Sequence, residues 1–147
     1  MSPAPSAAPS RSPVQAAPNP RLVEFESHVA EATRVQFRLV DGLAKASVGP
    51  PAGLRGPARQ MADWATGEIA WLDEHPAEPC YRDAADAYRG GVEAILTSAT
   101  AFDRLATASA PPTAAEGEAA GKDLSDGQAA MQLGALKANA SRAACRS

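Results

Sequence analysis

The chain has 147 residues and a formal net charge of −3 at pH 7; 45% of its residues are hydrophobic but only 5% are aromatic. The acidic balance argues against a nucleic-acid-binding protein, and no apolar run reaches the roughly eighteen residues that a transmembrane helix needs. Alanine supplies much of the apolar content, and alanine is the best helix former but a poor strand former. The composition therefore predicts an all-α protein.

Residues 1–20 are rich in Pro, Ala and Ser, and such a segment cannot bury enough surface to fold. We predict a disordered, semi-extended arm, of the kind that tethers exported bacterial domains to a cleaved signal or a lipidated cysteine. On this interpretation a secretion signal has been removed and Met1 has been added. An ordinary disordered terminus is the alternative.

The first two helices are predicted at about residues 20–46 and 57–74, where apolar residues recur every three and four positions. A segment with three prolines and three glycines separates them, over residues 47–57. Pro57 suits the first turn of the second helix, and His75-Pro76 ends it. The buried face of the first helix is predicted to comprise Leu22, Phe25, Val29, Ala32, Gln36, Leu39 and Leu43.

The third and fourth helices are predicted at about residues 79–108 and 113–144. Gly90 and Gly91 lie in the middle of the third helix, which indicates a close helix contact or a kink. Thr113 and Glu116 have the spacing of a capping box at the start of the fourth. One face of this last helix alternates glycine with larger apolar residues: Gly117, Ala120, Leu124, Gly127, Met131, Gly134 and Ala138.

Short, proline-containing connections favour an antiparallel up-down-up-down four-helix bundle over residues 21–147. In that topology Cys80, at the start of the third helix, and Cys145, at the end of the fourth, lie at the same end. We predict a disulfide between them, which would stabilise the fold by about 4 kcal/mol. Disulfides persist in oxidising compartments, so the pair favours an extracytoplasmic location. Two unrelated reduced thiols are the alternative.

The second helix carries the most informative patch, Trp64, Glu68, Trp71 and His75, spaced four, three and four. The favoured interpretation is that both tryptophans are core residues, each inserted into a notch left by a glycine of the fourth helix. The alternative is a groove that holds an apolar ligand or a partner helix, with Glu68 and His75 as its polar rim. Gln36 is a second candidate polar contact, or a buried residue that fixes helix register.

Glu24, His28 and Glu31 share a strip of the first helix and form a weak candidate for a surface metal site. The matching Glu-x-x-His motifs of di-iron bundles are missing from the second and fourth helices, so solvated flank residues are the favoured interpretation. We predict no bound metal and no cofactor. Haem is disfavoured because no attachment motif accompanies the available ligands: His28, His75, Met61 and Met131.

No catalytic constellation is visible, since the sequence has neither a GxSxG motif nor a phosphate-binding glycine loop. An enzyme that uses His75 or His28 is a disfavoured alternative. We therefore expect a non-enzymatic, extracytoplasmic binding or scaffold module, whose partner is an unidentified protein or an apolar small molecule. The second hypothesis is a carrier or sensor that binds an apolar ligand or a metal within the bundle.

The layout of an arm, four helices and a cysteine pair resembles small exported lipoproteins of bacteria with GC-rich genomes. This resemblance covers the whole chain but rests on layout and composition, and it carries over no functional residue. It implies that the chain is the soluble part of a bacterial lipoprotein.

Overall fold

The structure, a computed structural model, describes residues 17–146 and contains four α-helices in that range. They are α1 (Pro20–Ser47), α2 (Arg55–Glu74), α3 (Arg82–Thr107) and α4 (Ala114–Ala140). The four helices pack against each other, which confirms the predicted all-α four-helix bundle. Most of the predicted arm, residues 1–20, lies outside the described residues; residues 17–19 lead directly into α1, which begins at Pro20.

Three helix ends differ from the predicted bounds. A 3-10 helix at Pro51–Leu54 continues directly into α2, which therefore begins at Arg55. A second 3-10 helix, Pro79–Tyr81, precedes α3, and the backbone of Tyr81 (φ −131°, ψ 18°) departs from α-helical values, so α3 begins only at Arg82. The helix α4 ends at Ala140, and a turn then carries the chain to Cys145.

Side-chain caps fix the starts of α1 and α4. The Asn19 side chain accepts hydrogen bonds from the backbone N–H groups of Arg21 and Leu22. The predicted capping box is confirmed: Glu116 N–H donates to Thr113 Oγ1 at 3.2 Å, and Thr113 N–H donates to Glu116 Oε2 at 3.3 Å. Each cap satisfies backbone donors that have no partner within the helix.

The helix α3 lies at the centre of the bundle. It packs extensively against both α4 and α2, whereas α1 makes sparser contacts with α2 and α4. Tyr88, Val92 and Ile95 of α3 are fully buried, as is Met61 of α2. The hydroxyl of the fully buried Ser98 donates to the carbonyl of Ala120 at 2.7 Å, so this polar group of the interface is satisfied.

Backbones of α3 and α4 approach each other closely at three glycines. A Cβ atom added at Gly91 would lie 2.6 Å from the carbonyl oxygen of Gly127, and one added at Gly127 would lie 2.7 Å from that of Gly91. A Cβ at Gly134 would lie 2.9 Å from the backbone nitrogen of Tyr88. All three distances are shorter than real Cβ contacts, so only glycine allows this separation.

The expected insertion of tryptophans into notches of the fourth helix is therefore wrong. The glycine face of α4 meets α3, whose backbone and Tyr88 occupy the notches, and α2 shares no extensive contact with α4. The pattern correctly indicated close helix packing at Gly91, Gly127 and Gly134. It assigned that packing to the wrong helix pair.

Cys80 and Cys145 lie at the distance of a disulfide bond, with sulfur atoms 2.10 Å apart and Cα atoms 5.3 Å apart. The predicted pairing of these two cysteines is confirmed. Arg142, three residues before Cys145, also donates from Nε to Glu26 Oε1 of α1 at 3.1 Å. The turn after α4 is thus fixed to the 3-10 helix that precedes α3 and to α1, at one end of the bundle.

We expect Gly127→Ala to destabilise the fold by about 1–3 kcal/mol, because the new methyl group has no room beside Gly91 and Ile95. Gly121→Ala is the matched control on the same helix. Its Cβ would meet nothing within 4 Å, so the better helix propensity of alanine should stabilise by about 0.5–1 kcal/mol. Urea unfolding measures both; equal effects of the two substitutions would contradict the packing described.

Candidate functional site

The predicted patch on α2 faces α1 and α3 rather than α4. Glu68 is buried, with 8% of its surface exposed, while Trp64, Trp71 and His75 are half-buried. Trp71 and His75 lie together at the end of the bundle where α2 terminates. Trp64 packs against the core and is not part of that cluster.

Trp71 is sandwiched between the two histidines of the chain, an arrangement we call the His–Trp–His stack. The ring of His28, from α1, lies 3.6 Å from that of Trp71, centroid to centroid, with only 4° between the planes. On the opposite face, the ring of His75 lies 4.2 Å away at 13°. The stack therefore joins α1 to the C-terminal end of α2.

A buried carboxylate holds the α1 side of this stack. Nε2 of His28 lies 2.7 Å from Glu68 Oε2, and the hydroxyl of Tyr88 donates to the same oxygen at 2.7 Å. Burial, followed by the neighbouring Glu68 carboxylate, raises the pKa of Tyr88 far above its usual range. Tyr88 is therefore a permanent donor at neutral pH, and the carboxylate of Glu68 accepts from two helices at once.

His75 faces an acceptor on each ring nitrogen. Nδ1 lies 2.8 Å from the backbone carbonyl oxygen of Trp71, and Nε2 lies 3.3 Å from Glu24 Oε1 of α1. Only the doubly protonated imidazolium donates to both. The carbonyl of Trp71 already accepts from the backbone N–H of His75 at 2.9 Å, so the ring contact adds a second partner to that oxygen.

Two cavities flank His75. One, of about 120 Å³, is lined on its α1 side by Arg21, Glu24 and Phe25, and also by Trp71 and Tyr81. The other, of about 320 Å³, lies towards α3 and has charged walls: Asp73, Arg82, Asp86 and Arg89. The end of α2 thus presents aromatic edges and charges of both signs to its surroundings.

The three residues of the weak metal candidate are not brought together. His28 turns to Glu68 and Glu24 turns to His75, while Glu31 pairs with Arg34 on its own helix at 3.1 Å. Within residues 17–146, no group of three or more His, Cys, Asp and Glu side chains is placed to hold a metal ion. Two of the three residues, Glu24 and His28, therefore pair across helices.

Gln36 lies away from the stack, at the contact of α1 with α4. It is almost fully buried, and its Oε1 accepts from Gln128 Nε2 at 3.5 Å, while its own Nε2 has no partner. Gln36 is therefore a buried polar residue between two helices and does not line the cavities around His75.

Two members of the site were missed from the sequence. His28 was interpreted as a flank residue of α1, and Tyr88 was given no role in a site. A signal did exist for Tyr88, since a tyrosine at a core position needs a partner for its hydroxyl. Glu68, at a core position of α2, was a suitable acceptor.

No protein-family model matches the chain, and comparisons with curated proteins and with solved structures gave no significant match. Of the helices in residues 17–146, none combines the length and the hydropathy needed to cross a bilayer.

The raised pKa of Tyr88 predicts a loss of stability at alkaline pH. Its contribution is complete below about pH 10, where an unfolded tyrosine is still protonated, and is lost as the pH rises towards the higher value of the folded protein. We expect Tyr88→Phe to reduce the alkaline slope of the unfolding free energy by about 1.4 kcal/mol per pH unit, one proton's worth. Denaturant unfolding across that range measures the slope. Burial also raises the pKa of Tyr81, so some slope should remain in the variant; an unchanged slope would contradict the buried hydrogen bond.

Proposed function

We propose that the protein is a non-enzymatic, extracytoplasmic binding module, the soluble part of a bacterial lipoprotein. The bundle presents one rigid end to a partner protein, and the Pro-rich arm supplies reach from an anchor. The single observation that supports the compartment is the pairing of Cys80 with Cys145, because such bonds persist in oxidising surroundings. Two free thiols in protein isolated from its native host would contradict it.

The binding end is the one that carries the His–Trp–His stack. The smaller cavity beside it, about 120 Å³, suits one inserted side chain of a partner; the larger one, about 320 Å³, is at the lower limit of pockets for whole small molecules, typically about 300–1,000 Å³. Arginine, tyrosine and tryptophan are the residue types that dominate binding energy at protein interfaces, and Arg21, Tyr81 and Trp71 all line this cavity. The disulfide and the ion pair of Arg142 with Glu26 hold the same end rigid, which lowers the entropic cost of binding.

The contacts of Glu68, the buried carboxylate of the candidate site, support a non-enzymatic role. The carboxylate of Glu68 is buried and its hydrogen bonds go to His28 and Tyr88, so it faces no open cavity as a general base. Reproducible turnover of a small substrate, abolished by His75→Gln, would overturn this part of the proposal. The second hypothesis, a ligand bound within the bundle, is not supported by the packing, because Met61, Tyr88 and Ile95 fill the centre.

Site-specific photo-crosslinking in host cells tests the binding end. A crosslinking residue at Glu74, exposed at the mouth of the smaller cavity, should give one discrete protein adduct. The same residue at Glu118, equally exposed but at the opposite end of the bundle, is the matched control and should give none. The adduct should disappear in an Arg21→Glu background. Adducts of equal yield from both positions, or one unaffected by Arg21→Glu, would refute the proposed interface.

A further inference from the structure

We infer that the His–Trp–His stack is a protonation-dependent clasp between α1 and α2. The pairing is reciprocal: α1 supplies His28 to Glu68 of α2 and Glu24 to His75 at the end of α2. Each helix thus contributes one imidazole and one carboxylate, with the indole of Trp71 between the two rings. This device belongs to the fold and does not depend on the proposed partner.

Protonation of His75 completes two contacts at once. Its ring nitrogens face the carbonyl oxygen of Trp71 and the carboxylate of Glu24, which are both acceptors only. A neutral ring carries one N–H, so it satisfies one contact and turns a lone pair towards the other. Loss of the proton therefore releases either the ring contact with the Trp71 carbonyl, which keeps the backbone N–H of His75 as a partner, or the link to α1.

Protonation of His28 strengthens its existing contacts without changing their geometry. The neutral ring already donates from Nε2 to Glu68, and the charged ring converts that hydrogen bond into an ion pair with little exposure to solvent. The charged ring also lies flat on Trp71, the aromatic residue that interacts most strongly with cations.

The surrounding charges favour this response. From α1, Arg21 lines the cavity but pairs with Glu78 at 3.7 Å; from α3, Arg89 pairs with Asp73 at 2.6 Å. Acidic groups on the neighbouring elements balance the remaining arginine near the stack: Asp73, Glu74, Glu78 and Asp86 lie around it with Arg82. Tyr81 and Tyr88, the other titratable groups, stay neutral because burial raises the pKa of both.

The clasp joins α1 to α2, whose other packing is sparse, and it also forms part of a cavity wall. The packing of α1 on α2 is less extensive than that of α3 on α4, and the stack is one of its contacts. Glu24, Trp71 and His75 also line the smaller cavity. Proton uptake therefore fixes this wall in place, and proton loss frees His75 and Glu24 to move.

Thermal unfolding as a function of pH tests the clasp. Because the two ring contacts of His75 need a second N–H that only the protonated ring supplies, the Tm should rise as the pH falls from about 8 to about 5.5. In the variant that combines His28→Gln with His75→Gln, the Tm should be flat over this range. An equal rise in both proteins would overturn the inference.

A milder variant keeps the test decisive if the double substitution prevents folding. Glu24 is 58% exposed, so Glu24→Gln leaves the core and the stacked rings in place and removes only the acceptor charge for His75. Its Tm should rise less than that of the wild type as the pH falls. Arg34→Gln, an exposed change on the same helix away from the stack, should match the wild type. A rise in Glu24→Gln as large as in the wild type would contradict the clasp.

Discussion

The backbone contact between α3 and α4 is the constraint on which the other features depend. At Gly91 and Gly127 the two backbones meet with no space for a methyl group, and at Gly134 the backbone of Tyr88 takes that space. Helices rich in alanine have little side-chain surface to bury, so they gain dispersion energy only when they approach closely. The glycines permit that approach, and they fix the rotation of α3 relative to α4.

Tyr88 transmits this constraint to the opposite side of α3. Its backbone lies against Gly134, while its hydroxyl reaches Glu68 on α2 at 2.7 Å. Glu68 in turn holds His28, which stacks on Trp71. A continuous series of contacts thus runs from the buried glycine face to the half-exposed His–Trp–His stack, and the geometry of the proposed binding end follows from packing elsewhere in the bundle.

The features predicted from the sequence are those set by local pattern. Apolar periodicity indicated four helices, Thr113 and Glu116 indicated a helix start, and the up-down-up-down topology placed Cys80 beside Cys145. The helix that each face contacts was harder to predict, because periodicity shows which residues share a face but not which helix that face meets. The glycines of α4 were assigned to the tryptophans of α2 for this reason.

The stack was missed for a related reason. His28 was grouped with Glu24 and Glu31, its neighbours on the same helix, whereas its contacts come from α2. Stacking depends on the relative rotation of two helices, and the glycine contact sets that rotation only indirectly, through α3. The hydroxyl of Tyr88, which needs a hydrogen-bond partner at a core position, was the one local signal of a contact between α3 and α2.

A double-mutant cycle between Gly134→Ala and Tyr88→Phe tests most directly whether the glycine contact positions the polar site. The two residues touch, and the methyl group that Gly134→Ala adds would displace the backbone of Tyr88 and with it the tyrosine hydroxyl. The account therefore predicts a coupling energy of about 0.5–3 kcal/mol in the free energy of unfolding. The same cycle with Gly121→Ala, where the added carbon meets nothing, should be additive within about 0.3–0.5 kcal/mol. Additivity in both cycles would contradict the account, because the hydrogen bond to Glu68 would then be independent of the contact between α3 and α4.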